Sequence, residues 1–294
     1  MTNNAMSKNA GLGKWLILAV LSLIWGSSFI LIKKGLTGFG FVEAASIRLM
    51  AAGAVFLPFG IYQVNKVPKD RWPYMVLITL VGMFIPAFLF CLAQQHVPSA
   101  VAGILNALTP IFTLVFSFFL YKTSHKPTQV IGLLLGLASA VLLVIERSDS
   151  ALTLNLYAGL IVVATVCYGL NINLVKNHLN EVPSLVISTV SVSLGGLLSF
   201  FFVFLPRHEQ YDFSNENWMP LAALVGLGIM STAIAQLLFY KLIKEVSPIF
   251  ASSTTYTMPI VAVAWGLLDG EAFGWGHALG IVGILTAVVL IRKG

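Results

Sequence analysis

The sequence predicts an all-α integral membrane protein with ten transmembrane helices in two inverted five-helix repeats. Its composition is 58% hydrophobic and only 10% charged, whereas soluble domains carry about 25% charged residues. The segment Trp25–Lys33 is echoed weakly by Tyr168–Lys176, which indicates an internal duplication. Because each copy holds an odd number of apolar spans, the second copy enters the membrane from the opposite face, which is a pattern typical of transporters.

Ten apolar segments are long enough to cross a bilayer, since about 20 residues span its hydrocarbon core. The first half contains 15–33, 41–62, 73–93, 98–121 and 127–146. The second half contains 155–174, 184–206, 218–240, 247–268 and 274–291. The sequence therefore divides into an N-terminal tail (1–14), a first repeat (15–146), a linker (147–154) and a second repeat (155–292).

The first span has an alternative interpretation as a secretory signal peptide, because Lys8 and Lys14 precede its apolar run. That run ends in Lys33-Lys34 without a small-residue cleavage pattern, and it contains the segment that recurs in the second half. We therefore treat it as the first transmembrane helix.

The distribution of basic residues predicts the orientation in the membrane. Arg48 lies inside a span, and the loops on one side hold only Lys33, Lys34, Arg147 and Arg207 of the 17 Lys and Arg residues. The remaining basic residues lie on the side that includes both termini. We therefore expect both termini in the cytoplasm, and we attribute the net charge of +6 to topology rather than to a nucleic-acid surface.

The residues that catalysis or metal binding would need are missing from the sequence. Cys91 and Cys167 lie in apolar spans, and the five histidines are scattered without metal-ligand spacing. Neither a Gly-x4-Gly-Lys-Ser/Thr loop nor a His-Glu-x-x-His motif occurs. We predict no cofactor, no metal site, no nucleic-acid partner and no enzyme activity, and the same absences argue against ATP-driven pumping by this chain alone.

Polar and aromatic residues at the centres of the spans are candidates for a substrate site. At 1.5 Å per residue, Trp25 lies roughly 15 Å beyond Trp15, near the middle of the bilayer. Tyr168 is its counterpart in the sixth span, away from the interfaces where such rings usually collect. We predict substrate-binding roles for Trp25, Ser27, Ser28, Asn106, Tyr168, Asn171, Gln236, Thr255 and Tyr256. A purely structural role stays open for the Ser and Thr residues, because such hydroxyls commonly bond backbone carbonyls.

Prolines lie in the central turns of three spans: Pro86 in the third, Pro110 in the fourth and Pro259 in the ninth. A proline inside a helix frees the carbonyl four residues back, here those of Asn106 and Thr255. Such carbonyls are tolerated where they face protein or a wet cavity. We therefore assign the three prolines a structural or gating role.

Among the charged residues of the spans, Arg48 is the strongest indication of a functional role, because a charge at the bilayer centre costs about 2.5 to 3.5 kcal/mol. It lies about 10 Å below the outer end of its helix, whereas Glu43 lies close to the surface. The two residues are five positions apart and do not form an i,i+4 pair. Arg48 therefore either anchors neighbouring carbonyls, as a structural or gating residue, or attracts an anionic group of a substrate.

Two Gly-x-x-x-Gly motifs occur, at Gly132/Gly136 in the fifth span and at Gly276/Gly280 in the tenth. Such motifs allow close helix packing. We predict that these helices pack within a monomer or at a homodimer interface.

Together, the ten spans in two halves, the segment Trp25-Gly26-Ser27-Ser28-Phe29, Arg48, and the prolines of the fourth and ninth spans resemble the drug/metabolite transporter superfamily. The most similar group is its EamA branch, and the resemblance extends from Trp15 to Arg292. It implies that helices 1 to 4 and 6 to 9 surround a central cavity and that helices 5 and 10 lie outside them. It also implies export of small metabolites from a bacterial inner membrane.

The second half departs from this pattern in two ways. The segment Tyr168-Gly169-Leu170-Asn171 replaces Trp-Gly-Ser-Ser, and no arginine in the seventh span corresponds to Arg48. The related small multidrug exporters use a carboxylate in the first helix, and none lies between residues 15 and 32 here. We therefore predict a secondary transporter, and by resemblance an exporter, of small polar metabolites such as amino acids. A multidrug exporter, a channel or a membrane sensor remain as alternatives.

Overall fold

The computed structural model describes residues 2–145, 156–268 and 274–293. Helices make up nearly all of this part of the chain, and no strand is found within it. The first repeat contains α1 (Thr2–Gly35), α2 (Phe41–Lys66), α3 (Lys69–Gln94), α4 (Ser99–Asn106 and Thr109–Tyr121) and α5 (Pro127–Ile145). The second contains α6 (Leu156–His178), α7 (Ser184–Gln210), α8 (Trp218–Glu245), α9 (Pro248–Ser252 and Thr254–Leu268) and α10 (Trp275–Lys293).

The predicted fold class is confirmed, and eight of the described helices are long and apolar enough to cross a membrane. The apolar part of α5, Pro127–Leu142, is shorter, and α9 is interrupted. Several helices extend beyond the predicted spans, because α1 begins at Thr2 and α8 continues to Glu245. The predicted linker at 147–154, with Arg147, lies outside the described residues.

Helix ends follow local chemistry. Pro127 and Pro248 begin α5 and α9, at a position where a missing N–H costs nothing. The Ser247 hydroxyl caps α9 by accepting a hydrogen bond from the Phe250 backbone N–H at 3.2 Å. Lys122 ends α4 in the left-handed conformation, with a φ of 50°.

Equivalent helices of the two repeats make equivalent packing contacts with the opposite repeat. Helix α1 packs against α8 and α9, and α6 packs in the equivalent way against α3 and α4, while α2 packs on α7. The echoed glycines explain how these helices approach so closely. A Cβ on Gly26 would lie 2.7 Å from Val261 Cβ of α9, and a Cβ on Gly169 would lie 2.8 Å from the Thr113 backbone nitrogen of α4.

Helices α5 and α10 pack on each other within the chain. A Cβ on Gly132 would lie 3.0 Å from the Ala287 carbonyl oxygen, and one on Gly136 would lie 2.6 Å from the ring of Tyr256. The first Gly-x-x-x-Gly motif therefore serves packing within one chain, and a homodimer through α5 and α10 stays a prediction.

Helices α3, α4, α8 and α9 depart from regular α geometry near the cavity, and α7 contains a further π turn at Phe200–Phe204. The equivalent helices α3 and α8 each contain a π turn, at Leu80–Phe84 and Gly228–Ile234. Helix α4 is broken after Asn106, and α9 is broken after Ser252. π turns recur at functional sites because they free backbone groups and reposition side chains. The interruptions of α3, α4, α8 and α9 surround the cavity described below.

The break in α4 changes the expected role of its proline. Pro110 lies at the start of the second α4 segment rather than inside a continuous helix. The Asn106 carbonyl oxygen is not left free, because the Thr109 hydroxyl donates a hydrogen bond to it at 2.8 Å. Pro259 remains inside its helix segment.

Candidate functional site

A central cavity of about 90 Å³ lies between the two repeats. Helices α1, α2, α3, α4, α6, α8 and α9 contribute to its wall, whereas no wall residue among those described belongs to α5, α7 or α10. The residues that line it are Trp25, Ser28, Phe29, Ile32, Arg48, Gly82, Met83, Phe90, Asn106, Thr109, Tyr168, Asn171, Ile172, Ser231, Thr232, Gln236, Phe239, Thr255 and Met258. This size is well below the roughly 300 to 1,000 Å³ of pockets that hold drug-sized molecules.

Two aromatic pairs lie on the wall at equivalent places in the repeats. The rings of Trp25 and Phe239 meet edge to face with centroids 4.9 Å apart. The rings of Tyr168 and Phe90 stack with centroids 6.1 Å apart. Each pair joins the first helix of one repeat to the third helix of the other repeat.

The π turn of α8 provides a partner for Trp25. The indole Nε1 donates a hydrogen bond to the Ser231 carbonyl oxygen at 2.9 Å. In the equivalent place of the other half, the π turn of α3 brings Gly82 against Asn171, where a Cβ would lie 2.6 Å from the Asn171 Oδ1. Each π turn therefore contacts the first helix of the opposite repeat, α1 or α6.

Arg48 is half-buried and lies on the cavity wall. Its Nη2 donates a hydrogen bond to the Thr232 hydroxyl at 3.1 Å, and the Cys91 thiol and the Tyr168 ring also lie near it. The only ion pairs among the described residues are those of Arg71 with Asp70 and Glu181. The guanidinium of Arg48 therefore has polar neighbours but no anionic partner within the described part of the chain.

Close packing of α2 on α8 holds this arginine in place. A Cβ on Gly228, the first residue of the α8 π turn, would lie 2.3 Å from the Arg48 carbonyl oxygen. Thr232 lies one helical turn further along α8, which brings its hydroxyl to the guanidinium. The glycine thus allows the backbone contact that aligns Arg48 with Thr232.

Several buried polar atoms on the wall lack a protein partner. The Arg48 Nε and the Asn106 Oδ1 accept or donate no hydrogen bond, and the Gln236 Nε2 makes none of normal length although the Tyr240 hydroxyl lies beside it. The side chains of Asn106 and Gln236 are only 4% and 6% exposed. Buried polar atoms are satisfied in the great majority of cases, so these atoms mark positions where a ligand could bind.

The hydroxyl groups on the wall are mostly satisfied by their own helices. Ser28 donates to the Trp25 carbonyl, and Thr255 donates to the Ser252 carbonyl at 3.0 Å. Asn171 Oδ1 accepts from the buried Tyr240 hydroxyl at 3.5 Å. These side chains shape the wall and can accept further hydrogen bonds, but each already has a protein partner.

Two predicted site residues do not reach the cavity. Ser27 accepts a hydrogen bond from the Trp265 Nε1 at 2.9 Å, and the Tyr256 hydroxyl donates to the Leu133 carbonyl oxygen at 2.9 Å. Neighbouring residues on a helix point about 100° apart. Because Ser28 and Thr255 face the cavity, Ser27 and Tyr256 must point elsewhere.

The three prolines are buried but do not line the cavity. Pro86 follows the π turn of α3, Pro110 follows the break in α4, and Pro259 follows the break in α9. Pro86 and Pro110 lie next to the irregular turns, Pro259 lies six residues beyond the break at Ser253, and none of the three is among the residues that line the cavity. Their gating role stays a prediction.

Sequence reasoning missed the apolar part of the wall. Its members are Phe29, Ile32, Met83, Phe90, Ile172, Phe239 and Met258. In an apolar helix such residues look the same whether they face lipid, protein or a cavity. The one available signal was the echo of Leu89-Phe90 at Leu238-Phe239, since Phe90 and Phe239 form the equivalent aromatic pairs.

No group of three or more His, Cys, Asp or Glu residues within the described ranges could hold a metal ion. No Asp or Glu is among the described residues that line the cavity. Its chemistry is limited to hydrogen bonds, aromatic faces and one positive charge. Such a wall can bind and orient a polar solute, and it holds no group placed to transform one.

Comparison with known proteins identifies the two repeats. A model of the EamA-like transporter family matches residues 13–145 and, separately, 155–293. The uncharacterized inner membrane transporter YedA of Escherichia coli strain K12 is 27% identical, with 94% of this chain and 90% of that protein covered. The probable terminal-alkyne amino-acid exporter of Streptantibioticus cattleyicolor is 24% identical, with 92% and 91% covered. A solved crystal structure shares the fold with a TM-score of 0.73 and 21% identity, covering 94% of each chain.

Proposed function

The chain belongs to the EamA-like transporter family, and from this premise we propose that it exports small polar metabolites such as amino acids by alternating access. It is a multi-pass membrane transporter and not an enzyme. The observation that carries the proposal is the central cavity, in which both repeats present buried polar atoms that no protein group satisfies. A site at the interface of inverted repeats is where secondary transporters bind their substrates.

The two aromatic pairs supply a means of alternating access. Trp25 with Phe239 and Tyr168 with Phe90 occupy equivalent positions in oppositely oriented halves. We propose that each pair separates when its end of the cavity opens and closes again when the other end opens. Rocking of one repeat against the other would produce both movements.

The chemistry of the wall favours polar metabolites over organic cations. The described residues of the wall include the guanidinium of Arg48 and no carboxylate, so a cationic drug would meet an uncompensated positive charge. The cavity of about 90 Å³ also suits a small solute. The relative from Streptantibioticus cattleyicolor, named as a probable amino-acid exporter, supports the same class of substrate.

For its location we propose the bacterial inner membrane, with both termini in the cytoplasm. The support is the excess of Lys and Arg on the side of the termini and the relative in Escherichia coli that is named as an inner membrane transporter. In this orientation, export moves the substrate from the side of the termini to the side of the α1–α2 loop.

Counterflow in proteoliposomes tests the proposal. Purified protein is reconstituted into vesicles loaded with an unlabelled amino acid, and uptake of the same labelled amino acid is followed, with protein-free vesicles as the control. We expect transient accumulation that saturates with concentration for at least one amino acid of a complete panel. Absence of counterflow for amino acids and other small polar solutes, together with flux of aromatic cations, would overturn the proposal.

A further inference from the structure

We propose that this cavity recognises a zwitterion, with Arg48 and Gln236 donating to a carboxylate and Asn106 accepting from an ammonium group. The inference rests on the proposed transport function and deepens it. It assigns the two charges of the substrate to particular side chains, and thereby states which small polar solutes bind and which do not.

The distribution of unsatisfied atoms points to this cavity. Among the described residues, the buried side-chain N and O atoms without a partner are those of Arg48, Gln63, Gln94, Asn106, Asn173 and Gln236. Half of them, namely Arg48 Nε, Asn106 Oδ1 and Gln236 Nε2, belong to residues that line the central cavity. A partner absent from the chain would satisfy all three together, and a bound solute is the partner that a cavity admits.

The donors among these atoms define the anionic end of the solute. The guanidinium of Arg48 can only donate, and its bond to Thr232 uses Nη2 and leaves Nε free. The Gln236 amide lies beside the Tyr240 hydroxyl, and its Nε2, which carries two N–H groups, is a second donor on the same wall. A guanidinium and an amide donor with no described carboxylate beside them match a carboxylate group, whose two oxygens accept from separate donors.

The free acceptor among these atoms defines the cationic end of the solute. The Asn106 Nδ2 donates to the Met258 Sδ at 3.3 Å, and a thioether sulfur can only accept, which fixes the direction of the amide. Its Oδ1 is therefore the free atom and needs an N–H or O–H donor. The rings of Trp25 and Tyr168 also line this wall, and aromatic rings attract cations.

The wall thus presents two donors, one of which carries a charge, and one free acceptor. An α-amino acid matches this set with its carboxylate and its ammonium group. A simple amine or an organic cation lacks the carboxylate and is repelled by Arg48. A carboxylic acid without an amine satisfies the donors but leaves Asn106 Oδ1 unsatisfied.

The experiment compares three ligands that differ by one group at a time, as competitors of amino acid counterflow by the intact protein in proteoliposomes. They are the best transported amino acid of the panel, its methyl ester and its desamino acid. Each lost charge-assisted hydrogen bond should weaken competition about tenfold or more. We therefore expect the amino acid to compete at least tenfold more strongly than either analogue.

Variants assign the groups to their residues. With Arg48→Gln, the amino acid and its methyl ester should compete about equally, whereas Arg48→Lys should retain part of the preference for the acid. With Asn106→Leu, the amino acid and its desamino acid should compete about equally, while the methyl ester remains weaker. Size-exclusion profiles establish that each variant is folded, and the comparison of ligands on the unmodified protein stands without any variant.

The outcomes separate the two proposals. If no amino acid shows counterflow, the proposed function fails. If amino acids are transported but the ester and the desamino acid compete as well as the amino acid, transport stands and zwitterion recognition is overturned. Equal weakening of all three ligands by Arg48→Gln would also overturn the inference, because it would show that Arg48 only supports the fold.

Discussion

The indole nitrogen of Trp25 donates a hydrogen bond to the carbonyl oxygen of Ser231 at 2.9 Å, which joins the centre of α1 to the π turn of α8. A regular helix uses its carbonyl oxygens internally, whereas a π turn leaves some free for other partners. The same tryptophan packs edge to face on Phe239. One side chain therefore connects the two repeats through both a polar and an aromatic contact.

The hydrogen bond of Trp25 can be tested separately from its ring contact. Trp25→Phe keeps an aromatic ring beside Phe239 but removes the bond to Ser231, which is worth about 1 kcal/mol. We expect a several-fold lower rate of counterflow with only a small change in thermal stability. Trp275→Phe is the matched control, because Trp275 is 87% exposed at the start of α10. Equal rates in the two variants would contradict a role of the α1–α8 connection in transport.

The glycines of α6 offer a test of the packing between repeats. Gly169→Ala would bring a Cβ to 2.8 Å from the Thr113 backbone nitrogen, where no flexible side chain can yield. Overpacking of this kind costs about 1 to 3 kcal/mol, so we expect a lower unfolding temperature in detergent. Gly159→Ala in the same helix meets nothing within 4 Å and should be neutral or slightly stabilising. Equal unfolding temperatures of the two variants would show that α4 and α6 are not in close contact.

Lys176 of α6 connects this helix to the C-terminus of α8. Its Nζ donates to the carbonyl oxygens of Ile243, Lys244 and Val246 at 3.3, 3.1 and 2.9 Å. Carbonyls at a helix C-terminus carry partial negative charge. We expect Lys176→Met to lose about 1 kcal/mol of local stability and to speed amide hydrogen exchange at residues 240–247.

Lys241→Met is the control for that measurement, because Lys241 lies exposed on the same helix. Its replacement should leave the exchange of residues 240–247 as it is in the unmodified protein. If both variants exchange at the same rate, the bonds of Lys176 do not hold this end closed.

The predicted orientation can be tested without any substitution. A green fluorescent protein fused after Gly294 should fluoresce in whole bacteria, and alkaline phosphatase fused at the same place should be inactive, because both termini are expected in the cytoplasm. The physical reason is the excess of Lys and Arg on that side. Active phosphatase and dark fluorescent protein would reverse the assignment and the direction proposed for export.

Much of the fold could be predicted because its signals are local. Segment length and hydropathy identify the spans, since a bilayer requires about 20 apolar residues whatever surrounds them. The echo of Trp25–Lys33 at Tyr168–Lys176 indicated the duplication, and the glycines within it, Gly26 and Gly169, turned out to be equivalent packing contacts. The family match to both halves confirms the predicted resemblance.

Local sequence patterns are enough to establish that this protein crosses the membrane many times, that its halves are copies, and that polar residues lie near the centres of the spans. Which of those residues share a cavity depends on how the helices pack. Ser28 and Thr255 line the cavity whereas Ser27 and Tyr256 do not, and Arg48 has no anionic partner among the described residues. The physical reason is that lipid and protein interior are equally apolar, so hydropathy does not fix the rotation of a membrane helix. That rotation follows from contacts between distant segments, such as Gly228 of α8 against the backbone of Arg48.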